Sequence, residues 1–381
     1  MKVLAVGGGS GGHVTPIVAV LHELNGLTEL DEVLFVCDSA FKEQAVGIMS
    51  HAPVSVNTKV IQAGKFRRYK HFKVWDYLRH PSIMGRNILD AGKTVVGIFQ
   101  SISIIKRHSP DVVFAKGGYV CLPVGFAARL LRVPVVIHDS DARPGLTNRL
   151  LARYASGIAT GYPVKNYSYP TSITEYTGVP IDSKIKPVGK DTQARYKKII
   201  GVSKDTPLVV AIGGGLGAKS INDAIIESLP KLESVGAFVY LVAGKNNIDE
   251  ATEASENYRN VIVKGFISEG LVGLLSAADV VVSRASATSL QELAGLAKPS
   301  VIIPARALGD QHRNAAVYKE SGAAIVLADD EIGVPGRLGK ELASLLNDSD
   351  RMASLAKKLN SFARPDAAKL VAKMIIKYAK S

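Results

Sequence analysis

Short β-rich runs alternate with helical stretches along the first half of the chain, with strands predicted near 2 to 6, 32 to 37, 53 to 60, 111 to 115, 134 to 138 and 157 to 160. Such alternation builds a parallel sheet covered by helices on both faces. A second cycle comes later, with strands expected at 208 to 212, 237 to 242, 260 to 263, 279 to 283, 299 to 303 and 323 to 327. Between the cycles, residues 162 to 207 are less regular and hold prolines at 163, 170, 180, 187 and 207, which marks an inter-domain linker. A helix is predicted near 83 to 107, and the last helical patterns run from about 349 to 361 and from 366 to 379. In the final one, Leu370, Met374, Ile375 and Tyr378 share one face while Lys369, Lys373 and Lys377 line another. The fold class is therefore α/β, with two doubly wound domains.

Ligands on such sheets collect at the carboxyl ends of strands. The first strand runs into Gly7-Gly8-Gly9-Ser10-Gly11-Gly12-His13-Val14-Thr15-Pro16, with a helical pattern from about Val14. Backbone amides and a helix N-terminus then face one point, which favours phosphate. His13 adds a titratable group beside it, which a purely structural turn does not need. Gly7, Gly9 and Gly12 also satisfy a dinucleotide fingerprint, with Asp38 at the spacing of a ribose-binding acid, so a nucleotide cofactor is a second reading of this stretch. Two further loops stand at strand ends: Lys116-Gly117-Gly118-Tyr119 and His138-Asp139-Ser140-Asp141.

At 381 residues the chain is long enough for two domains, each with its own core. Hydrophobic residues make up 47% and charged ones 21%, as in soluble globular proteins, and no uninterrupted run of 18 apolar residues predicts a spanning helix. The apolar N-terminal run is too short for a signal peptide, so a cytoplasmic protein is expected. Cys37 and Cys121, the only two cysteines, lack metal-ligand spacing; Cys121 is read as a loop residue. A net charge of +13 favours a polyanionic partner, and without the signature of an RNA- or DNA-reading module nucleic acid is not expected. Residues 63 to 79 interleave Phe66, Arg67, Arg68, Tyr69 and Trp75 with further cations. Such side chains suit the boundary of an anionic membrane surface, with a solvated loop as the plain alternative.

In the second half, Leu208 to Ile212 leads into Gly213-Gly214-Gly215-Leu216-Gly217-Ala218. Two glycine turns, one per half, are hard to explain by a single dinucleotide fold. The strand at 279 to 283 ends in Arg284-Ala285-Ser286-Ala287-Thr288-Ser289-Leu290-Gln291-Glu292, where small residues admit a ligand and a carboxylate suits two vicinal ribose hydroxyls. A capped helix with a surface Glu292 is the competing explanation. After the strand at 299 to 303, Gly309-Asp310-Gln311-His312-Arg313-Asn314 carries dense donors and acceptors that suit a polyhydroxylated ligand.

Taken in order, these stretches, with Gly64-Lys65-Phe66-Arg67-Arg68-Tyr69 and the continuation Ala142-Arg143-Pro144-Gly145-Leu146-Thr147-Asn148-Arg149, resemble the MurG family over residues 2 to 330. Its members transfer N-acetylglucosamine (GlcNAc) from UDP-GlcNAc to undecaprenyl-linked lipid I, giving lipid II for peptidoglycan. The resemblance implies a GT-B fold: residues 1 to 180 form an acceptor and membrane-facing domain, rejoined by a C-terminal helix at 363 to 381, and residues 181 to 362 bind the UDP-sugar. It implies His13 as base with Asp139 as second candidate. Donor contacts are implied from Ser10, Gly11, Gly12, Asp141, Gly215, Ile267, Ala287, Thr288, Ser289, Leu290, Glu292, Asp310 and Gln311, and acceptor diphosphate contacts from Gly9, Gly117, Gly118 and Tyr119. Leaving-group charge is expected to be met by backbone amides and a helix N-terminus, with no cofactor or tightly bound metal. A peripheral position on the cytoplasmic face of the membrane is implied as well. Three departures stand out: Gly215 replaces a usual serine, Asp182 a usual arginine, with Lys184 or Lys186 as candidate substitutes, and Asp141 stands where many members have asparagine. Competing readings are a GT-B transferase for another lipid acceptor, a noncatalytic membrane-docked UDP-sugar binder and a dehydrogenase.

Overall fold

The computed structural model describes residues 1–8, 11–65, 81–214, 217–267 and 269–380, which form two compact units. The first comprises Met1–Asp182 with Asp366–Ser381, and the second Ser183–Pro365. The sequence-based boundaries, at 180/181 and 362/363, stand two and three residues from these.

In the first unit, strands β1 (Lys2–Val6), β2 (Glu32–Cys37), β3 (Val56–Val60), β4 (Val112–Ala115), β5 (Val135–Asp139), β6 (Gly157–Thr160) and β7 (Thr174–Tyr176) form one sheet, in the order β3-β2-β1-β4-β5-β6-β7. Every pairing is parallel. The central strands are buried on both faces, whereas edge strand β3 alternates between half-buried and exposed. Strand β7 is absent from the sequence expectation: three residues with an exposed centre carry too little periodicity to be read.

Helix Gly11–Leu27 begins earlier than the pattern from Val14 suggests, so His13 sits in its first turn. Its buried Val14, Ile17, Val20, Leu21 and Leu24 join a core with Val371, Met374 and Ile375 of the last helix, Ala367–Tyr378. That helix also crosses the start of β6 at Gly157, where a Cβ would stand 2.5 Å from the Tyr378 ring. The helix near 83 to 107 spans Pro81–His108. Within its residues 84 to 108 an 18-residue window has a mean hydropathy of 1.4, and the helix is long and apolar enough by composition to cross a bilayer. Arg86, Asp90 and Lys93 break its apolar run, which is why uninterrupted apolar sequence does not predict it. One side is docked: Gly97 approaches so closely that its Cβ would lie 2.0 Å from Gln62 O, and the Thr94 hydroxyl accepts from Gly64 N at 3.3 Å.

The second unit repeats the scheme with β8 (Leu208–Ile212), β9 (Phe238–Val242), β10 (Val261–Lys264), β11 (Val280–Ser283), β12 (Ser300–Ile302) and β13 (Ile325–Val326), in the order β10-β9-β8-β11-β12-β13. These pairings are parallel too, around a core built on Val209, Ala211, Ile221, Ile225, Leu241 and Val282. Strand order reverses between β1 and β4 in one sheet and between β8 and β11 in the other. At such switch points the loops diverge and leave a crevice for ligands.

Candidate active site

Each switch point is flanked by a glycine turn. In the first unit, Gly118 (φ +89°) lies so close to the loop after β1 that a Cβ there would stand 2.5 Å from Gly8 O. Gly117 (φ +115°) lies over His13, its Cβ position 3.4 Å from the imidazole Nδ1. Only glycine permits both the left-handed backbone and the approach. Cys121 fixes this turn from below, its sulfur 3.0 Å from Gly117 O and accepting from Gly117 N at 3.3 Å. It opens the buried helix Cys121–Leu130 and is not in a loop, because Pro123 suits the first turn of a helix.

His13 Nδ1 is buried and has no hydrogen-bond partner among the described residues. Burial, assisted by the ammonium of Lys116, lowers its pKa to about 4, so the ring is neutral and offers a lone pair at neutral pH. Lys116 itself is 1% exposed. Its Nζ donates to Ser140 Oγ at 2.5 Å, that hydroxyl stands 3.3 Å from His138 Nδ1, and His138 Nε2 reaches Gly178 O at 2.9 Å. His138 is thereby committed to the scaffold. Burial lowers the Lys116 pKa to about 8 against the opposing pull of Asp141 and Asp139.

Asp139 is buried at the end of β5, its Oδ2 accepting from Tyr169 Oη at 2.7 Å and Gly145 N at 3.2 Å. Burial raises its pKa to about 6, although hydrogen bonds from Tyr169 and Asn148 oppose the rise. Asp139 and half-buried Asp141 form an Asp-x-Asp sequence, a pattern that suits metals elsewhere; among the described residues no group of three or more His, Cys, Asp or Glu is placed to hold one. Tyr119 is half-buried, and burial together with Asp38 pushes its phenol up to about 12. Asp38 is buried, its Oδ1 accepts from Phe41 N at 3.1 Å, and its Oδ2 lies 2.9 Å from where a Gly8 Cβ would stand. The ribose-acid spacing of the dinucleotide reading thus belongs to a carboxylate turned under the glycine loop as a cap.

In the second unit, Gly213 and Gly217 (φ +78°) meet backbone at 2.3 Å from their Cβ positions, Ala218 N and Ala243 O respectively. Helix Lys219–Glu233 starts from this turn. Across the switch point, Ser286 caps helix Ala287–Leu296, its hydroxyl accepting from Ser289 N at 3.2 Å, with Thr288 buried behind. The cap expected from the plain reading is therefore present, yet Glu292 is not a surface residue: it is partly buried, and burial raises its pKa to about 7. Ile267 is half-buried after β10. At the start of helix Gly309–Glu320, Gln311 Oε1 accepts from Ala305 N at 2.9 Å, while Asp310 pairs with Arg313 at 2.5 Å. Buried Asn314 donates to Ala285 O at 3.2 Å and ties this helix to the hydroxylic turn.

His13, Gly117, Gly118, Tyr119, Asp139 and Asp141 are thus gathered in the first unit, and Ala287 to Leu290, Glu292, Ile267, Asp310 and Gln311 in the second. Gly11 and Gly12 open the helix that bears His13. Asp182, Lys184 and Lys186 are exposed. Gly9, Ser10 and Gly215, expected at the diphosphates and the donor, and Phe66, Arg67, Arg68, Tyr69 and Trp75, expected at the membrane, lie outside the described residues. Sequence reasoning assigned no role to Lys116, Tyr169, Asn148, Ser220, Arg284 or Asp329. The available signal was a charged residue directly after an apolar strand, as in Ala115-Lys116 and Ser283-Arg284.

Two family models match the chain: the glycosyltransferase family 28 N-terminal domain over residues 3–160 and its C-terminal domain over residues 208–371. A UDP-N-acetylglucosamine--N-acetylmuramyl-(pentapeptide) pyrophosphoryl-undecaprenol N-acetylglucosamine transferase of Clostridium kluyveri is 32% identical over 380 residues, 99% of each chain. The protein of the same name from Shouchella clausii is 33% identical over 91% of each. Among solved structures, MurG of Acinetobacter baumannii superposes with a TM-score of 0.72 at 24% identity, covering 99% of both chains. A UDP-GlcNAc 2-epimerase from Neisseria meningitidis bound to UDP-GlcNAc gives 0.67 at 14% identity, covering 99% of this chain and 100% of that one. The fold is GT-B, with two Rossmann-like domains.

Proposed function

The chain belongs to glycosyltransferase family 28 and, within it, to the MurG-type UDP-GlcNAc transferases, and on that premise we propose that it moves GlcNAc from UDP-GlcNAc to undecaprenyl-pyrophosphoryl-MurNAc-peptide. It is a hexosyltransferase. The acceptor hydroxyl attacks the anomeric carbon from the face opposite UDP, the bond to UDP breaks, and configuration inverts through an oxocarbenium-like state. The acceptor proton goes to His13, whose neutral ring, with an Nδ1 that has no partner among the described residues, is the observation that carries this reading. Asp139 is the second candidate, held back by its bonds to Tyr169 and Gly145. On the donor side, Glu292 takes the ribose hydroxyls, the turns at 213 to 218 and 286 to 290 take the diphosphate with their amides, the Ile267 backbone reads uracil and Gln311 the sugar. Departing UDP charge is met by these amides and helix N-termini without a tightly bound metal. Gly117, Gly118 and Tyr119 take the acceptor diphosphate.

We also propose a peripheral position on the cytoplasmic face of an anionic membrane. Met84, Ile88, Val95, Val96 and Phe99 form an outward apolar stripe at helical spacing, with Phe99 69% exposed, on a helix whose other side is docked. A helix of this kind lies on a bilayer rather than across it. The test of function is UDP release from UDP-GlcNAc in the presence of a lipid-linked MurNAc-peptide, with and without prior chelation. Release that depends on the acceptor and survives chelation is expected; release without acceptor, or none with it, overturns the assignment.

A further inference from the structure

At the carboxyl edge of the second sheet, one guanidinium ties together the segments that leave four neighbouring strands. Arg284, directly after β11, donates from Nη1 to Asp329 Oδ1 at 2.7 Å and to Ile303 O at 3.2 Å, and from Nη2 to Ser220 Oγ at 2.8 Å. Ser220 closes the ring by donating to Asp329 Oδ1 at 2.8 Å. Ser220 is the second residue of the helix that leaves the β8 glycine turn, Ile303 comes directly after β12 and Asp329 shortly after β13, and these strands are consecutive in the order β8-β11-β12-β13. The side chains of Arg284 and Asp329 are 13% and 19% exposed.

We infer that Arg284 is a positioning residue for the donor diphosphate, holding the N-terminus of helix Lys219–Glu233 and the turn at 285 to 289 at the spacing that grips phosphate. The inference rests on the donor reading above and deepens it. Amides stabilise an anion only when their positions are set before it arrives, since a loop that must be ordered on binding gives back much of the gain. Gly213, Gly214 and Gly217, ahead of that helix, cannot set the spacing by themselves, because glycine restricts the backbone least. The planar, forked guanidinium can, because it bonds in three directions within one plane, which an ammonium on a flexible stem does not. Its charge is already met by Asp329, so Arg284 acts through Ser220 and does not stand in for the cation missing at Asp182. Asn314 steadies the far side through Ala285 O.

Calorimetric titration of the full chain with UDP and with uridine, alongside thermal melting, tests this in Arg284→Lys and Ser220→Ala. Lysine keeps the charge opposite Asp329 but loses the fork, and alanine cuts the link to the helix. Both variants are expected to melt close to the parent and to bind UDP about tenfold or more weakly, with uridine affinity unchanged. A loss confined to the diphosphate is an outcome that a merely structural role would not produce. Equal losses for UDP and uridine, or parental UDP affinity in both variants, overturn the inference. Should Arg284→Lys fail to fold, Ser220→Ala decides by the same two affinities. A parent chain that ignores UDP overturns the donor reading itself, an outcome distinct from the selective one.

Discussion

Burial holds His13, Asp139 and Glu292 away from their ordinary titration. Glu292 is an acid whose folded pKa, about 7, lies above the usual 4.5. The folded state therefore holds its proton more tightly than the unfolded chain, and stability falls as pH rises from about 4.5 to 7. Above that window the full penalty applies. Glu292→Gln removes it, so the variant is expected to melt higher than the parent at pH 8 and near it at pH 4, while UDP affinity drops by roughly 1 to 3 kcal/mol. A variant no more stable at pH 8 rejects the burial argument, and one with parental UDP affinity rejects the ribose contact. The two candidate bases also separate by pH. A base must be unprotonated to act, so the acid limb of kcat/KM falls near pH 4 if His13 is the base and near 6 if Asp139 is. His13→Ala is expected to lower kcat about a hundredfold with donor affinity kept. An acid limb that persists in His13→Gln transfers the role to Asp139.

Among the elements, two helices place a strong demand on partners. Helix Ala367–Tyr378 comes from the end of the chain yet completes the first core, with Val371 and Ile375 fully buried. Val371→Ala is expected to cost roughly 1 to 3 kcal/mol in chemical denaturation, and Gly157→Val more, since its branched side chain enters the Tyr378 ring. Denaturation midpoints equal to the parent's would mean that the helix contributes nothing to that core. Helix Pro81–His108 has the reverse problem, an apolar side without a protein partner among the described residues. Replacing Ile88, Leu89 and Phe99 with Ser should reduce sedimentation with anionic vesicles while UDP binding is retained, because about 0.8 kcal/mol is lost for each methylene no longer buried in the bilayer. Undiminished sedimentation would move the docking role to the basic segment 65 to 79.

For the molecule as a whole, the two units differ in how they are assembled from the chain. The second is a continuous segment, Ser183–Pro365, with its own sheet and core, and as an isolated fragment it is expected to fold and to bind UDP; an unfolded fragment by circular dichroism contradicts this. The first needs both ends of the chain, so truncation after 365 should destabilise it alone. Much of this was legible in the sequence. Strand and helix patterns are local, since side-chain burial repeats every two or 3.6 residues, and glycine turns after apolar strands announce close backbone approach wherever they occur. Hence the two doubly wound domains, the turns at 7 to 12, 117 to 118 and 213 to 218, and the candidates His13, Asp139 and Glu292 could be named from residue order. Other features depend on residues far apart in the chain. Only packing decided that Asp38 caps a turn beneath the glycine loop, that His138 is spent on Ser140 and Gly178, and that one side of helix Pro81–His108 faces outward. The bonds from Arg284 to Ser220 and Asp329 span 64 and 45 residues. Local periodicity reports which way a side chain faces, but its partner is set by the order of strands in the sheet, and that order is a property of the folded chain.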